Sequence, residues 1–446
     1  MADTNASTQA DSSFTAQVFD FATGDEDARL CRDIPESQCR DQPVNFVIQI
    51  ISQALSKTGD ALADSKVVLP WLLGSVGAPV FFIGLLVPIR ESLALLPQIL
   101  VGGFIRRFAI RKGWWAASSL VQGTCTLLMA LCALAGLQGA AAGWAIIGLL
   151  TIFSLARGVA SIAAKDTLGK TVSKGKRGRV SGYAATASGI VAGVVGLFLA
   201  LAPEEARPDW LLYAMVGASG VAWFAAAATF IRINEHPGAT DGGRGLGDLI
   251  RDQVTLLARD RELQKFLAAR TLMISTAMLG PLYVTLAQRQ IGSALDSLGW
   301  LIIASGFASA VSSAFWGALS DSSSRMTMAL AAGIAGLLGI AVLTLLQMAP
   351  DITGHAFFFA VTLFTLGIAH AGIRIGRKTH IVDLASGDMK AEYVALSNSI
   401  IGVLLLLTGG LVAILMEFGL EAAIGTLSVA ALLGAAMALF LKDVQQ

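Results

Sequence analysis

Long apolar runs separated by short polar connections constrain this chain more than any other feature. A helix needs about 20 mostly apolar residues to cross the hydrocarbon core of a bilayer. Twelve such stretches occur, near residues 44–66, 77–105, 115–137, 141–163, 180–202, 210–232, 266–288, 295–319, 326–348, 355–376, 393–415 and 420–441. They are continuous and do not alternate with period two, so they predict helices, not barrel strands. Only 14% of the 446 residues are charged, too few to cover a soluble surface of this size. A formal net charge of +1 predicts no bulk attraction to nucleic acid. The expected fold is an all-α polytopic membrane protein, with twelve transmembrane helices in two pseudo-symmetric six-helix bundles.

The connections differ in charge. Arg106, Arg107, Arg111 and Lys112 follow the second stretch, and Lys165, Lys170, Lys174, Lys176, Arg177 and Arg179 follow the fourth. The opposite connections hold little beyond Lys66, Arg207 and Arg289. The excess of Lys and Arg predicts cytoplasmic termini in a multi-pass protein of the cell (inner) membrane. Residues 1–43 are polar and acidic and read as a disordered cytoplasmic tail without a cleaved signal peptide. Cys31 and Cys39 in this tail read as reduced thiols. A zinc site there would need a second ligand pair at suitable spacing, and none follows. No metal or cofactor is expected. Residues 44–232 form the first bundle, 266–441 the second and 442–446 a short tail. Residues 233–265 link them. This linker starts Gly-rich and ends with Leu246, Leu249, Ile250, Leu256, Leu257 and Leu263 near helical spacing. That end suits a helix lying on the membrane surface or packed under the bundle.

The halves repeat each other. Tyr183 and Tyr393 stand 210 residues apart, each at the start of the fifth stretch of its half. Arg157 precedes Lys165 by eight residues, and His370 precedes Lys378 by eight. Gly102 and Gly317, each near the end of a second stretch, are 215 apart. Parallel six-helix repeats are a known transporter plan, with the site between the halves near the midplane.

Around these residues the chain resembles the Major Facilitator Superfamily over 44–441. Gly102, Arg106, Arg107, Arg111 and Lys112 follow the spacing of its signature loop, with Arg106 in place of an Asp and Ala109 in place of a Gly. Gly317, Asp321 and Arg325 form the second copy. The resemblance implies that these loops act as a cytoplasmic gate. Arg157 is similar to an arginine carried by many proton-coupled members. Gly182, Gly189, Gly193 and Gly196 look like the glycine-rich fifth helix of the exporter branch.

Charges inside membrane spans are costly and call for a reason. Asn45, Gln49, Ser52, Gln53, Ser56, Asp60 and Asp64 recur near 3.6-residue spacing in the first stretch, forming a polar stripe suited to a wet cavity. Asp60 and Glu91 are candidate proton carriers, with Arg90 and Arg157 as electrostatic partners. The competing readings are a local Lys57–Asp60 pair and a structural ion pair at Arg90 and Glu91. Asn45, Gln49, Gln53, Ser56, Lys57, Asn398 and His370 are candidate cavity residues. Helix–helix hydrogen bonding is an equal account of Asn398, and interior packing of His370. Arg270 and Arg374 sit near inner ends, where snorkelling explains them.

Gly169, Lys170 and Thr171 lack the first glycine of a phosphate loop and follow a membrane helix, so no ATP-hydrolysing part is present. The chain is expected to be no enzyme. It reads as a secondary active transporter moving a small organic solute by alternating access, with protons, the solute and membrane lipid as partners, functional as a monomer. Proton antiport with efflux is the first direction, and proton-linked uptake the second. A lipid flippase, a membrane sensor and a lipid-modifying enzyme are the remaining alternatives.

Overall fold

The structure is a computed structural model that describes residues 14–23, 39–96, 104–105, 107–238, 240, 246–385 and 389–445. Gly102, Arg106 and Cys31 lie outside the described residues. The described chain is helical, with no strand. Helix α1 is Phe14–Thr23. The first bundle holds α2 (Gln42–Leu62), α3 (Val68–Ser75), α4 (Phe81–Leu95), α5 (Lys112–Leu134), α6 (Gly139–Thr171), α7 (Arg177–Leu201) and α8 (Trp210–Phe230). Helix α9 (Leu246–Arg259) belongs to the linker. The second bundle holds α10 (Arg261–Met273), α11 (Ser275–Ile291), α12 (Leu295–Ser322), α13 (Ser324–Met348), α14 (Ala356–Leu384), α15 (Lys390–Glu417) and α16 (Leu420–Leu439). Helices α10 and α11 run on as one span, Arg261–Ile291.

Ten spans among the described residues are long and apolar enough to cross a membrane. They match the last ten of the twelve expected stretches. The first two differ for physical reasons. Helix α2 carries the polar stripe, which lowers its hydropathy. The chain then breaks at 63–67 and restarts as α3, so the first stretch runs to residue 75 and not 66. Asp64 makes the break tolerable. Its Oδ1 accepts the N–H groups of Lys66 (2.8 Å) and Val67 (2.9 Å), which the interrupted helix leaves without partners. The second stretch is described only as far as Leu96. Helices α6 and α14 run well past the predicted ends, to Thr171 and Leu384.

The duplication is visible in the packing. The halves meet along α4–α15 and α7–α12, two pairs that exchange under a six-span shift. At both seams glycine lets backbones approach. A methyl group on Gly409 of α15 would stand 2.2 Å from Pro88 of α4, and one on Gly299 of α12 would stand 2.5 Å from the backbone N of Ala200. Of the four glycines noted in the fifth stretch, only Gly196 has such a packing use, against Ile303 and Gly299.

The face carrying the short Lys- and Arg-rich connections is the basic face. At the opposite face the halves are sealed together. Gln288 donates to the Trp71 carbonyl (3.0 Å), Arg207 lies 3.5 Å from Asp296, and α12 touches the end of α7 at Gly299. The central opening therefore lies on the basic side of this seal.

Two expectations for the connections change. The tail is not wholly unstructured: α1 packs Phe19 edge-on against Phe46 (5.2 Å), with the Lys176 ammonium over its ring. Cys39 is disulfide-bonded, not a reduced thiol. In the linker, Leu256 and Leu257 pack against the core, so α9 leans on the bundle.

Candidate functional site

Asp60 is the centre of the first half. It lies near the end of α2, about 27 Å along the axis from Gln42 at 1.5 Å per residue. Two guanidinium groups reach it from different helices. Arg90 of α4 approaches Oδ1 at 2.7 Å, and Arg157 of α6 approaches Oδ2 at 2.5 Å. Arg157 also donates to Ser56 Oγ (3.2 Å). Aromatic faces hold both arginines, Phe153 under Arg90 (4.8 Å) and Trp223 under Arg157 (5.1 Å). All three charged side chains keep 20–26% exposure in mid-bundle, so they border the central opening. Asp60 is paired with the arginines and not with Lys57.

A second cluster joins the halves. Glu91 of α4 pairs with Lys66 at 2.9 Å, and Lys66 Nζ lies 3.3 Å from Nε2 of His370 on α14. Lys66 was expected in an outer connection; the break in the first stretch places it inside. Its ammonium only donates, so Nε2 accepts and the imidazole proton sits on Nδ1. That Nδ1–H donates to Thr276 Oγ1 (3.3 Å), whose hydroxyl donates to the Met273 carbonyl (2.9 Å). The ring is neutral in this network. A cavity of about 240 Å³ opens beside it, lined by Asp64 and Lys66 from the first half and by Thr276, Ser305, Ser309, His370 and Arg374 from the second.

The polar stripe divides in use. Asn45 is 2% exposed and exchanges hydrogen bonds with the Asn234 backbone. Gln49 is fully buried and donates to Thr171 Oγ1 (3.3 Å). Gln53 donates to Gln49 Oε1 (3.0 Å). Asn45 and Gln49, expected at the cavity, instead join α2 to the connection after α8 and to α6. The end of the stripe at Ser56, Lys57 and Asp60 is the part beside the opening. Asn398 accepts from Arg270 (3.2 Å), a helix–helix contact between α15 and α10.

The basic residues expected at a gate form a buried network within the first half. Arg111 pairs with Asp166 of α6, which also meets Lys170 (2.9 Å). Glu235 follows α8 and is fully buried; it pairs with Lys170 (3.0 Å) and accepts the N–H groups of Arg111 (2.9 Å) and Lys112 (2.6 Å). Lys112 Nζ donates to the Ile233 carbonyl, and Arg107 is exposed. The second half echoes this arrangement. Arg325, at the start of α13, pairs with Asp443 (3.0 Å) after α16. Asp321 is exposed and Gly317 has open space beside it, so neither joins that network. Asp166, Glu235 and Asp443 were not read from the sequence, because acidic residues in loops carry no periodic signal. The repeat offset was the one clue: Glu235 and Asp443 follow Arg111 and Arg325 at similar distances.

A family model described as Major Facilitator Superfamily matches residues 266–446. No curated protein is a detectable relative by sequence. Among solved structures, the chain is similar to a peptide transporter POT in complex with sulfate (TM-score 0.65, 12% identity, covering 89% of this chain and 93% of that one). It is similar to a point mutant of the nucleoside transporter NupG (TM-score 0.62, 13% identity, 88% and 98%). It is also similar to a D-xylose-proton symporter (TM-score 0.61, 12% identity, 90% and 99%). At these identities the likeness establishes the fold. The family match lies in the second half, and the ten apolar spans among the described residues make the chain a multi-pass membrane protein with the fold of these transporters.

Proposed function

We propose that the chain is a proton-coupled secondary transporter that moves a small organic solute by alternating access. It works in the cytoplasmic membrane as a monomer, with the basic face and both termini in the cytoplasm. The observation that carries this reading is Asp60, shared between Arg90 and Arg157 and open to the central cavity. One proton on Asp60 removes the charge that holds two arginines on two helices. Arg90 sits on α4, and α4 also forms the seam with α15 through Gly84, Pro88 and Ser92. Loosening Arg90 therefore acts on a helix that touches both halves, and a change in protonation favours one arrangement of the halves over the other. The Glu91–Lys66–His370 cluster is the second titratable link, and it crosses between the halves directly.

Efflux in exchange for protons is the direction carried forward. Uptake with protons is the second reading, and the similarity to a structure named as a D-xylose-proton symporter favours it. The test is reconstitution in liposomes with charge movement recorded on a solid-supported membrane. A pH jump followed by amino acids, organic acids, polyamines and amphiphilic drugs should give a proton current that one compound class enhances. The sign of that current assigns direction. Asp60→Asn should remain monodisperse and lose pH-driven accumulation at least 100-fold. If this variant concentrates solute as the parent does, Asp60 is not the coupling group.

A further inference from the structure

The second half holds cations that the protein itself does not neutralise. Arg270 of α10 is 7% exposed. It donates to the Ser397 hydroxyl and to Asn398 Oδ1 (3.2 Å), with no ion-paired carboxylate among the described residues. Its Nε is buried without a hydrogen bond. Arg374 and Arg377 of α14 form no ion pair among the described residues. Arg377 lies in electrostatic range of both Arg270 and Arg374, and α2 brings Lys57 into range of Arg374; Glu91 is the one carboxylate in range of Arg270 and Arg377 among the described residues. The nearby carboxylates are already engaged. Asp60 holds Arg90 and Arg157, Glu91 holds Lys66, and Asp64 accepts backbone N–H groups at the break.

Snorkelling does not explain this set. It would aim the charged heads outward, toward lipid headgroups. Arg374 instead lines the central cavity, opposite Lys66 and beside His370, Thr276, Ser305 and Ser309. Arg270 is enclosed by α15 side chains. Like charges so placed repel one another; Arg374 is exposed to the opening and free to meet a solute, while Arg270 is buried, where a guanidinium without a counter-ion is unfavourable. Fixed cations in a cleft also concentrate anions from solution.

We infer that this cavity binds a small organic oxyanion, a carboxylate or a phosphate ester, with Arg374 as its direct contact. Arg377 and Lys57 lie within electrostatic range of that contact, and Arg270 within range of Arg377. The neutral polar part of the solute meets the hydroxyls of Thr276, Ser305 and Ser309. A cavity of about 240 Å³ suits something the size of a short dicarboxylic acid or a three-carbon phosphate. The inference rests on the transport reading only in taking the cavity as the solute's path.

Calorimetric titration of the purified full chain in detergent at low salt tests it. The panel holds mono-, di- and tricarboxylates, glycerol 3-phosphate, the dication putrescine and an uncharged sugar. Saturable binding of at least one anion and none of putrescine is expected, with affinity falling as salt rises. Arg374→Gln and Arg270→Gln should each weaken that binding at least tenfold, while Arg374→Lys retains most of it. Whether carboxylates or the phosphate ester bind names the source of the oxyanion. Binding of no anion to stable protein, preferential binding of putrescine or the sugar, or unchanged anion affinity in both Gln variants would overturn the inference. This titration needs no gradient, so it separates the two readings. Anion binding without pH-driven flux removes proton coupling and leaves the oxyanion site. Proton-driven flux of an uncharged solute does the reverse.

Discussion

The two halves share an architecture and differ in how they treat charge. In the first half nearly every cation near the cavity is matched: Arg90 and Arg157 close on Asp60, and Lys66 closes on Glu91. In the second half Arg270, Arg374 and Arg377 form no ion pair among the described residues, and Glu91, the carboxylate in range of two of them, is held by Lys66. A matched set responds to a proton, because one proton breaks two pairs. An unmatched set responds to an anion, because an anion supplies what is missing. On the proposed reading, one half is suited to coupling and the other to holding solute.

The largest test of that division is transport itself. Arg157→Gln should cut pH-driven accumulation about 100-fold while changing solute affinity less than fivefold, a ratio of the kind removal of one charge-assisted partner gives. If affinity falls as steeply as transport, the division between the halves fails. Next comes the buried network under the basic face. Glu235→Ala leaves Lys170 to Asp166 and the Ala109 carbonyl but strands the buried Arg111 and Lys112 N–H groups, and should cost about 3 kcal/mol of stability. Its counterpart Asp443→Ala, whose partner Arg325 is 31% exposed, should cost only about 1 kcal/mol. Thermal unfolding of both variants reads the difference, and equal losses would mean that the networks are energetically alike. Smaller again is the seal at the opposite face. Gly299→Leu collides with Ala200 and Gly196, so spin labels placed across that face should move apart, with the fold retained. An unchanged distance would show that the seal does not depend on close approach there.

The smallest effect lies at the basic face of the second half. Burial works to raise the Asp260 carboxyl, but the Tyr393 hydroxyl (2.5 Å) and the N–H groups of Leu263 and Glu262 outweigh it, leaving it below its ordinary range. A depressed carboxyl stabilises the fold above its unfolded value, near pH 4, and loses that contribution as pH falls through the folded one. Tyr393→Phe should lower the unfolding temperature slightly at neutral pH, and the gap to the parent should close in acid. A gap that persists at pH 2 would mean that Tyr393 acts through packing instead.

Most of the fold was legible in the sequence because lipid imposes a length and an apolar composition on each span. The exception is instructive. The first stretch reads as one helix ending at Lys66, because Val67 to Leu73 is too short to cross alone. It is in fact the continuation of that same span beyond a break. Asp60, Arg90 and Arg157 stood out because charge inside an apolar run needs a reason. Lys66 did not, since its position at an apparent span end made it look like loop. Glu235 and Asp443 were hidden for the opposite reason: an acid in a connection looks ordinary until folding buries it. The inner end of the polar stripe misled in another way. A row of amides suits water and suits a neighbouring helix equally well, and periodicity does not distinguish them.

The break at 63–67 bears on how the molecule moves. Helix α2 packs on α7 and α8 of its own half, whereas α3 packs on α11 of the other half as well as on α4 of its own. The short end of this first crossing therefore touches both halves, while its long part belongs to the first alone. The chain has a joint where their motion would bend it, and Lys66 sits on that joint with a carboxylate on one side and an imidazole across the gap. On the proposed mechanism, rocking of the halves would change the Lys66–His370 separation, which spans the two halves.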